Sequence, residues 1–453
     1  MAVTPARRIA FDILLRVEAE RGFAGELLHA KLNDARTSVK REDAALATEL
    51  TLGVLRWQRL LDFLIELQTG KPVASLDLEV LLALRIGLYQ LRFLSRIPPS
   101  AAVNESVELV KEARKHSAAS LANAVLRKAP REDAAKLLPL TLPLEFRLGI
   151  LHSHPDWLVA RWLARYGESK TIALLDANNR VPRLACALHQ PALRDLITRQ
   201  LQNGGMDAES GIWLRDALLL RGGNPAVTEA FRAGAISIQD EASQMVAHLL
   251  EVRSGDSVLD LCAAPGGKTA ILARAAGPNA LVVAADVYVH RLKALGTTLS
   301  RLHLPSVRRI ALDAASPLPL ERQFTRILLD VPCSGTGTLA RNPEIRWRLQ
   351  PEDLSSLHQR QFALLRNALP LLSPGGRLVY STCSLEREEN EQVLDEVLRD
   401  FPDFRRASLV DALCPQLCDG ADPARLFSAD GVFRTFPPEH GTDGFFAAAV
   451  QRS

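Results

Sequence analysis

The chain has 453 residues, 47% hydrophobic and 24% charged, with a formal net charge of +3. That length argues for two or three domains, and the composition excludes the disordered, collagenous and coiled-coil classes. Its longest apolar run, Val80 to Leu94, is interrupted by Arg85 and Arg92 and falls short of the ~18 residues that span a bilayer, so no membrane partner is expected.

In chain order, Arg7-Arg8 before Ile9 to Leu15 imitates an export signal, but Asp12 and Arg16 break the apolar run and predict a folded helix instead. Residues 5–128 read as about six helices, with apolar residues at helical spacing in Ile9, Ile13, Leu14, Val17, in Leu46, Leu50, Val54, Leu55, and in Leu81, Leu84, Leu88, Leu91. Residues 1–130 are therefore expected to form an all-α domain. A linker is expected over 131–155, where Pro139, Pro143 and Pro155 fall among leucines. Residues 156–240 read as a small mixed α/β segment, with helices over Trp157–Tyr166 and Lys170–Leu175 and strands over Leu184–Leu188 and Ile236–Gln239.

From 241 to 453 the pattern becomes regular. Strands are expected over Val258–Leu261, Leu281–Ala285, Val307–Leu312, Arg326–Leu329 and Arg377–Tyr380, with helices between most of them. Such alternation means a doubly wound, mostly parallel sheet. The fold class is α/β, an all-α front followed by a Rossmann-like domain.

Charge is uneven along the chain. Residues 1–130 hold 19 Lys/Arg against 15 Asp/Glu, whereas 231–453 hold 24 against 26. A nucleic-acid partner is permitted by this excess but not demanded. The preference for Arg over Lys suits phosphate and base contacts, and codon bias explains it equally well. The six cysteines, Cys186, Cys262, Cys333, Cys383, Cys414 and Cys418, are too sparse for a disulfide scaffold and form no paired zinc spacing. The expectation is a cytoplasmic, metal-free monomer.

The chemistry concentrates in Asp260-Leu-Cys-Ala-Ala-Pro-Gly-Gly-Lys-Thr269. A phosphate loop would need a glycine where Cys262 stands, and the dinucleotide pattern fails because only Gly266 and Gly267 are present. What remains is a glycine turn that admits a ligand with little phosphate, followed 20 residues after Gly266 by Asp286, an acid suited to a ribose. That describes S-adenosylmethionine. Asp313 and Asp330 also follow strands, so four acids including Asp260 are expected to converge on the carboxyl edge of the sheet.

Two cysteines lie just past strand ends, in Asp330-Val-Pro-Cys333-Ser-Gly-Thr-Gly and Ser381-Thr-Cys383-Ser. A lone cysteine there is usually a small buried hydrophobe, but two beside a cofactor fold call for a chemical reason. Carbon 5 of cytosine is a poor nucleophile until a thiolate adds to carbon 6, which is covalent catalysis by an activated cysteine.

These motifs, with Gly441-Thr-Asp-Gly-Phe-Phe446, resemble the RNA cytosine-5 methyltransferases. The front domain is similar to the helical domain of the antitermination factor NusB, through Ala6-Arg-Arg-Ile-Ala-Phe-Asp-Ile-Leu, Glu49 to Arg56, Pro99 to Val107 and Leu121 to Arg127. Together the two resemblances imply methylation of small-subunit ribosomal RNA. They imply that Cys262, Ala263, Ala264, Pro265, Gly266, Gly267, Lys268, Asp286, Asp313 and Asp330 hold S-adenosylmethionine, that Cys383 is the nucleophile, and that Cys333 helps release the product. Asp330 would also steady the protonated cytosine ring beside Pro332. Spacing alone does not rank the two thiols, since related DNA enzymes use the cysteine of the Pro-Cys motif. For Lys268, capping or positioning the glycine turn stands beside a purely structural role.

One departure is visible. Where relatives carry Arg-x-Asn after the Asn-Asn-x-x-Pro segment, this chain has Ala185-Cys186-Ala187. Two other readings stay open, the same chemistry on transfer RNA and an RNA-binding assembly factor with a vestigial catalytic half. The intact cysteine pair speaks against the second. Whether the front domain clamps RNA or serves as an interaction module is equally open.

Overall fold

A helix that is apolar on every side must be packed on every side, and Leu78–Phe93 is such a helix, buried continuously from Val80 to Gln90. Its one internal charge, Arg85, is matched by Asp62 at 2.7 Å and Glu18 at 3.2 Å. Around it lie Pro5–Glu20, Ala24–Leu32, Arg41–Thr69, Pro99–Glu112 and Ala119–Arg127, which complete the expected six helices. Pro99 opens its helix at the first turn, where a missing N–H costs nothing. The computed structural model describes residues 3–32, 39–130 and 132–452. The chain divides into two compact units, Met1–Val181 with Leu339–Leu349, and Pro182–Thr338 with Gln350–Ser453.

This division differs from the sequence reading in two ways. The stretch expected as a linker over 131–155 carries the helix Leu144–Leu151 and belongs to the first unit, because its leucines are used for burial: Leu138, Leu148 and Ile150 are all in the interior. The next helix, Asp156–Asn179, also belongs there; Gly167, at φ 75°, makes the break expected between its two halves.

The second difference is the return of 339–349. Arg346 is fully buried, and its guanidinium donates to the Ser153 carbonyl at 3.0 Å, the Asn179 Oδ1 at 2.9 Å and the Asn178 carbonyl at 3.1 Å. Burial without an ion pair lowers its pKa to about 9. Trp347 donates to the Leu55 carbonyl at 2.7 Å, and Glu344 accepts the Ala24 N–H at 2.9 Å. Buried helix ends need partners, and here they come from a segment far away in sequence.

In the second unit, β1 (Leu184–Leu188), β2 (Asp207–Ser210), β3 (Ala217–Arg221) and β4 (Ile236–Ile238) form an antiparallel sheet in the order β2-β3-β1-β4. The Ala185-Cys186-Ala187 departure lies wholly buried in β1. Cys186 sits opposite Leu218, and burial pushes its thiol up to about 12. These small side chains fill a core position here.

The larger sheet comprises β5 (Val258–Leu261), β6 (Val282–Asp286), β7 (Arg308–Ala311), β8 (Phe324–Asp330), β9 (Leu372–Thr382), β10 (Phe404–Ala407), β11 (Phe433–Thr435) and β12 (Phe445–Arg452). The order is β10-β12-β9-β8-β5-β6-β7, with β11 added beside β12. β5 to β9 pair in parallel and β10 to β12 are antiparallel. The strand order reverses between β5 and β8, which is where an open α/β sheet forms its ligand crevice. Among the described residues no helix is long and apolar enough to cross a membrane.

Arg346→Ala is expected to strand the Ser153 and Asn178 carbonyls and to lower stability by about 3 kcal/mol or more, the scale for two buried groups left unpaired. Denaturant unfolding followed by tryptophan fluorescence checks this. An unchanged midpoint would mean that the first unit does not depend on the returning segment.

Candidate active site

β5 is buried along its whole length and delivers the chain into a sharp turn. Cys262, at φ 63°, and Gly266, at φ 103°, take left-handed conformations on either side of Ala263, Ala264 and Pro265, and Gly267 then starts the helix Gly267–Ala276. A side chain rarely tolerates this region, so Cys262 marks a turn fixed by its surroundings. The Ala263 N–H donates to the Ala285 carbonyl at 2.8 Å. Asp286, at the end of β6, accepts the Ala264 N–H at 3.3 Å and the Tyr288 N–H at 3.1 Å, with Arg291 at 3.3 Å.

Asp286 and Asp313 line a cavity of about 90 Å³ together with Cys262, Tyr288, Pro332 and Leu364. Asp313 is exposed at its rim and accepts the Ala315 N–H at 3.0 Å. Asp260 does not join them. Its carboxyl is buried and takes a hydrogen bond from the Thr269 hydroxyl. Burial, with Asp330 adding to it, raises its pKa to about 7. Asp260 therefore steadies the helix behind the turn and is not open to the crevice.

Asp330 faces the other way. Rather than folding onto the glycine turn, Lys268 extends its Nζ to Asp330 Oδ2 at 2.8 Å, while the Ser381 hydroxyl donates to Asp330 Oδ1 at 2.7 Å. Burial opposes the charge on Lys268, but Asp330 and then Cys383 outweigh it and hold the ammonium above its usual range. The Phe445 ring lies 5.2 Å from the same nitrogen.

Parallel pairing puts Asp330 of β8 opposite Ser381 of β9, so the loops that follow leave the sheet side by side. Both thiols are free, and the Cys333 and Cys383 sulfurs stand 3.1 Å apart. The hydrogen bond to Cys383 and burial push the Cys333 thiol well above its ordinary range.

Sequence reasoning missed what lies beneath this pair. Glu389 is fully buried and accepts the Ser334 N–H at 2.7 Å, the Gln361 Nε2 at 2.9 Å and the Ser384 hydroxyl. Thr382 donates to the Asn390 Oδ1, and Asn390 Nδ2 to the Ser384 carbonyl at 2.9 Å. In the sequence, Glu388-Glu389-Asn390 reads as a solvated helix start. The only available signal was that both cysteines are followed by serine. The glycines of the Cys333 loop and the closing motif also have a shared use. Gly337 donates to the Cys383 carbonyl at 2.9 Å and accepts the Gly444 N–H at 2.8 Å, and a Cβ on Gly337 would stand 2.1 Å from the Gly444 oxygen.

Comparison with known proteins fits this geometry. Residues 247–451 match the family described as 16S rRNA methyltransferase RsmB/F. A Bacillus subtilis (strain 168) protein named "Probable ribosomal RNA small subunit methyltransferase B" is 33% identical over 455 residues, covering 100% of both chains. The chain belongs to the 16S rRNA methyltransferase RsmB/F family. In agreement, residues 4–131 match the NusB family and residues 154–227 match a Methyltr_RsmF/B-like, ferredoxin-like domain. The Yersinia pestis bv. Antiqua (strain Angola) "Ribosomal RNA small subunit methyltransferase B" is 34% identical over 432 residues, with 94% of each chain covered. A solved methyltransferase homologue from Pyrococcus horikoshii is 28% identical, with a TM-score of 0.57 over 69% of this chain and 100% of that one. As an RsmB/F member the chain is an rRNA methyltransferase with a NusB-like front and a mostly parallel catalytic sheet.

Gly337→Ala is expected to part the Cys333 loop from Gly444, costing about 1–3 kcal/mol of stability as an overpacked site and removing methyl transfer. Thermal unfolding and a methylation assay read the two effects, and a fully active, equally stable variant would contradict the packing described.

Proposed function

We propose that this chain transfers a methyl group from S-adenosylmethionine to carbon 5 of a cytosine in small-subunit ribosomal RNA, through a covalent bond to Cys383. The observation that carries the reading is the pair of thiols 3.1 Å apart, beside the Lys268–Asp330 ion pair at the carboxyl edge of the sheet. A vestigial site would have no chemical reason to keep both. The RNA class rests on the names of the relatives.

The turn and cavity fit the methyl donor. Residues Cys262 to Lys268 supply a close backbone approach, Asp286 a carboxylate for ribose hydroxyls, and Asp313, with Leu364 and Pro332, a partly apolar wall. Asp330 borders the same crevice. When bound, S-adenosylmethionine supplies an electrophilic methyl group.

The Cys383 thiolate adds to carbon 6 of cytosine, forming a carbon–sulfur bond and moving the double-bond electrons to carbon 5, which becomes the nucleophile. Asp330, held by Lys268 and Ser381, is placed to steady the proton on the ring nitrogen. After methyl transfer Cys333 takes the proton from carbon 5, the ring double bond re-forms, and the bond to Cys383 breaks. Free thiols of this kind suit a reducing compartment, the cytoplasm.

Incubation of cysteine variants with ribosomal RNA and the methyl donor tests the division of labour. Cys383→Ala is expected to give neither product nor adduct. Cys333→Ala is expected to methylate and remain attached, leaving a protein–RNA complex that survives denaturing electrophoresis. Trapped RNA in Cys383→Ala, with nothing in Cys333→Ala, would overturn the assignment.

A further inference from the structure

Two thiols in contact raise a question that their positions alone leave open: which sulfur keeps the proton. Glu389 bears on it. Ser334 and Ser384 directly follow the two cysteines, their hydroxyls are 2.9 Å apart, and the same buried carboxylate binds the Ser334 N–H and the Ser384 hydroxyl. Its third donor is Gln361, so the three groups that hold it are all neutral. Lys268 is the cation of the site, bonded to Asp330 and within the field of Cys383.

We propose that Glu389 is a positioning residue that decides which thiol attacks: its buried negative charge, gripping both cysteine loops, keeps the proton on Cys333, while the Lys268 ammonium favours the thiolate at Cys383. This rests on the reaction proposed above and deepens it.

The remaining titratable groups around the pair are Asp260 from β5, Asp330 from β8 and Tyr380 from β9. All are acids, so Lys268 is the group that stabilises a thiolate there. Cys333 is held protonated first by its hydrogen bond to Cys383, then by burial, by the charge of Cys383 and by Glu389. Addition of Cys383 to carbon 6 converts its sulfur to a neutral thioether and removes two of these causes. Cys333 then releases its proton to water and becomes the base that accepts the carbon 5 proton. Departure of Cys383 as a thiolate restores the starting state, with one proton released per methyl transferred. The charges thus impose an order on the two cysteines.

The test needs no RNA. Carbamidomethylation of the whole protein by iodoacetamide, followed for each cysteine by peptide mass spectrometry between about pH 6 and about pH 10, gives the midpoint at which each thiol ionises. In the unsubstituted protein the Cys333 midpoint is expected above that of Cys383. Glu389→Gln should lower the Cys333 midpoint by about one unit, a rise of about tenfold in its thiolate below the midpoint, and leave Cys383 where it is. Glu389→Asp, which keeps the charge, should keep Cys333 high. A merely structural Glu389 would shift both thiols together. An unmoved Cys333 in Glu389→Gln overturns the proposal. So do equal midpoints in the unsubstituted protein, a result that stands whether or not the variant folds. Because these midpoints are read without substrate, they hold or fail separately from adduct formation by Cys383.

Discussion

The parallel pairing of β8 with β9 is the constraint on which the catalytic half depends. It sets Asp330 opposite Ser381, and the two cysteine loops then have no course except alongside each other. Sulfurs 3.1 Å apart follow from that register. Such a contact would be idle without support from below, and the support is a polar network in the interior. Glu389, Ser334, Ser384, Thr382 and Asn390 satisfy one another there, as buried polar groups must. The Gly337–Gly444 contact closes the same loop from β12.

Lys268 joins the two halves of the site. Its backbone belongs to the glycine turn that suits the methyl donor, while its ammonium reaches Asp330 and the thiols. One residue thus ties the position of the turn to the charge state of the cysteines. This explains physically why a lysine follows two glycines here although no phosphate loop is present. Asp260, which sequence order places among the acids of the crevice, serves the same helix from behind through Thr269.

Much of this was legible in advance. Helical spacing disclosed the six front helices because each buries one stripe against its neighbours, and Gly167 falls where the pattern of Asp156–Asn179 was interrupted. Asp286, Asp330, Cys333 and Cys383 could be placed at strand ends because a parallel sheet orders its carboxyl edge by sequence. What escaped depends on contacts between distant segments. The connector looked extended because of its prolines, although its leucines are buried. Arg346 looked like any surface arginine in a loop, and only the carbonyls of Ser153 and Asn178 reveal its use. Glu389 sits in an acidic run whose burial no local pattern signals. β2, β3 and β10 to β12 are short or lie beyond the regular alternation, so periodicity did not mark them.

The central claim is that a single cytosine of small-subunit ribosomal RNA acquires its carbon 5 methyl from this chain. Bisulfite sequencing of that RNA, from cells lacking the gene and from the same cells carrying it again, tests it most directly. The account predicts one cytosine that resists conversion in the complemented cells and converts fully in the deletion. Identical conversion at every cytosine in both strains would contradict it.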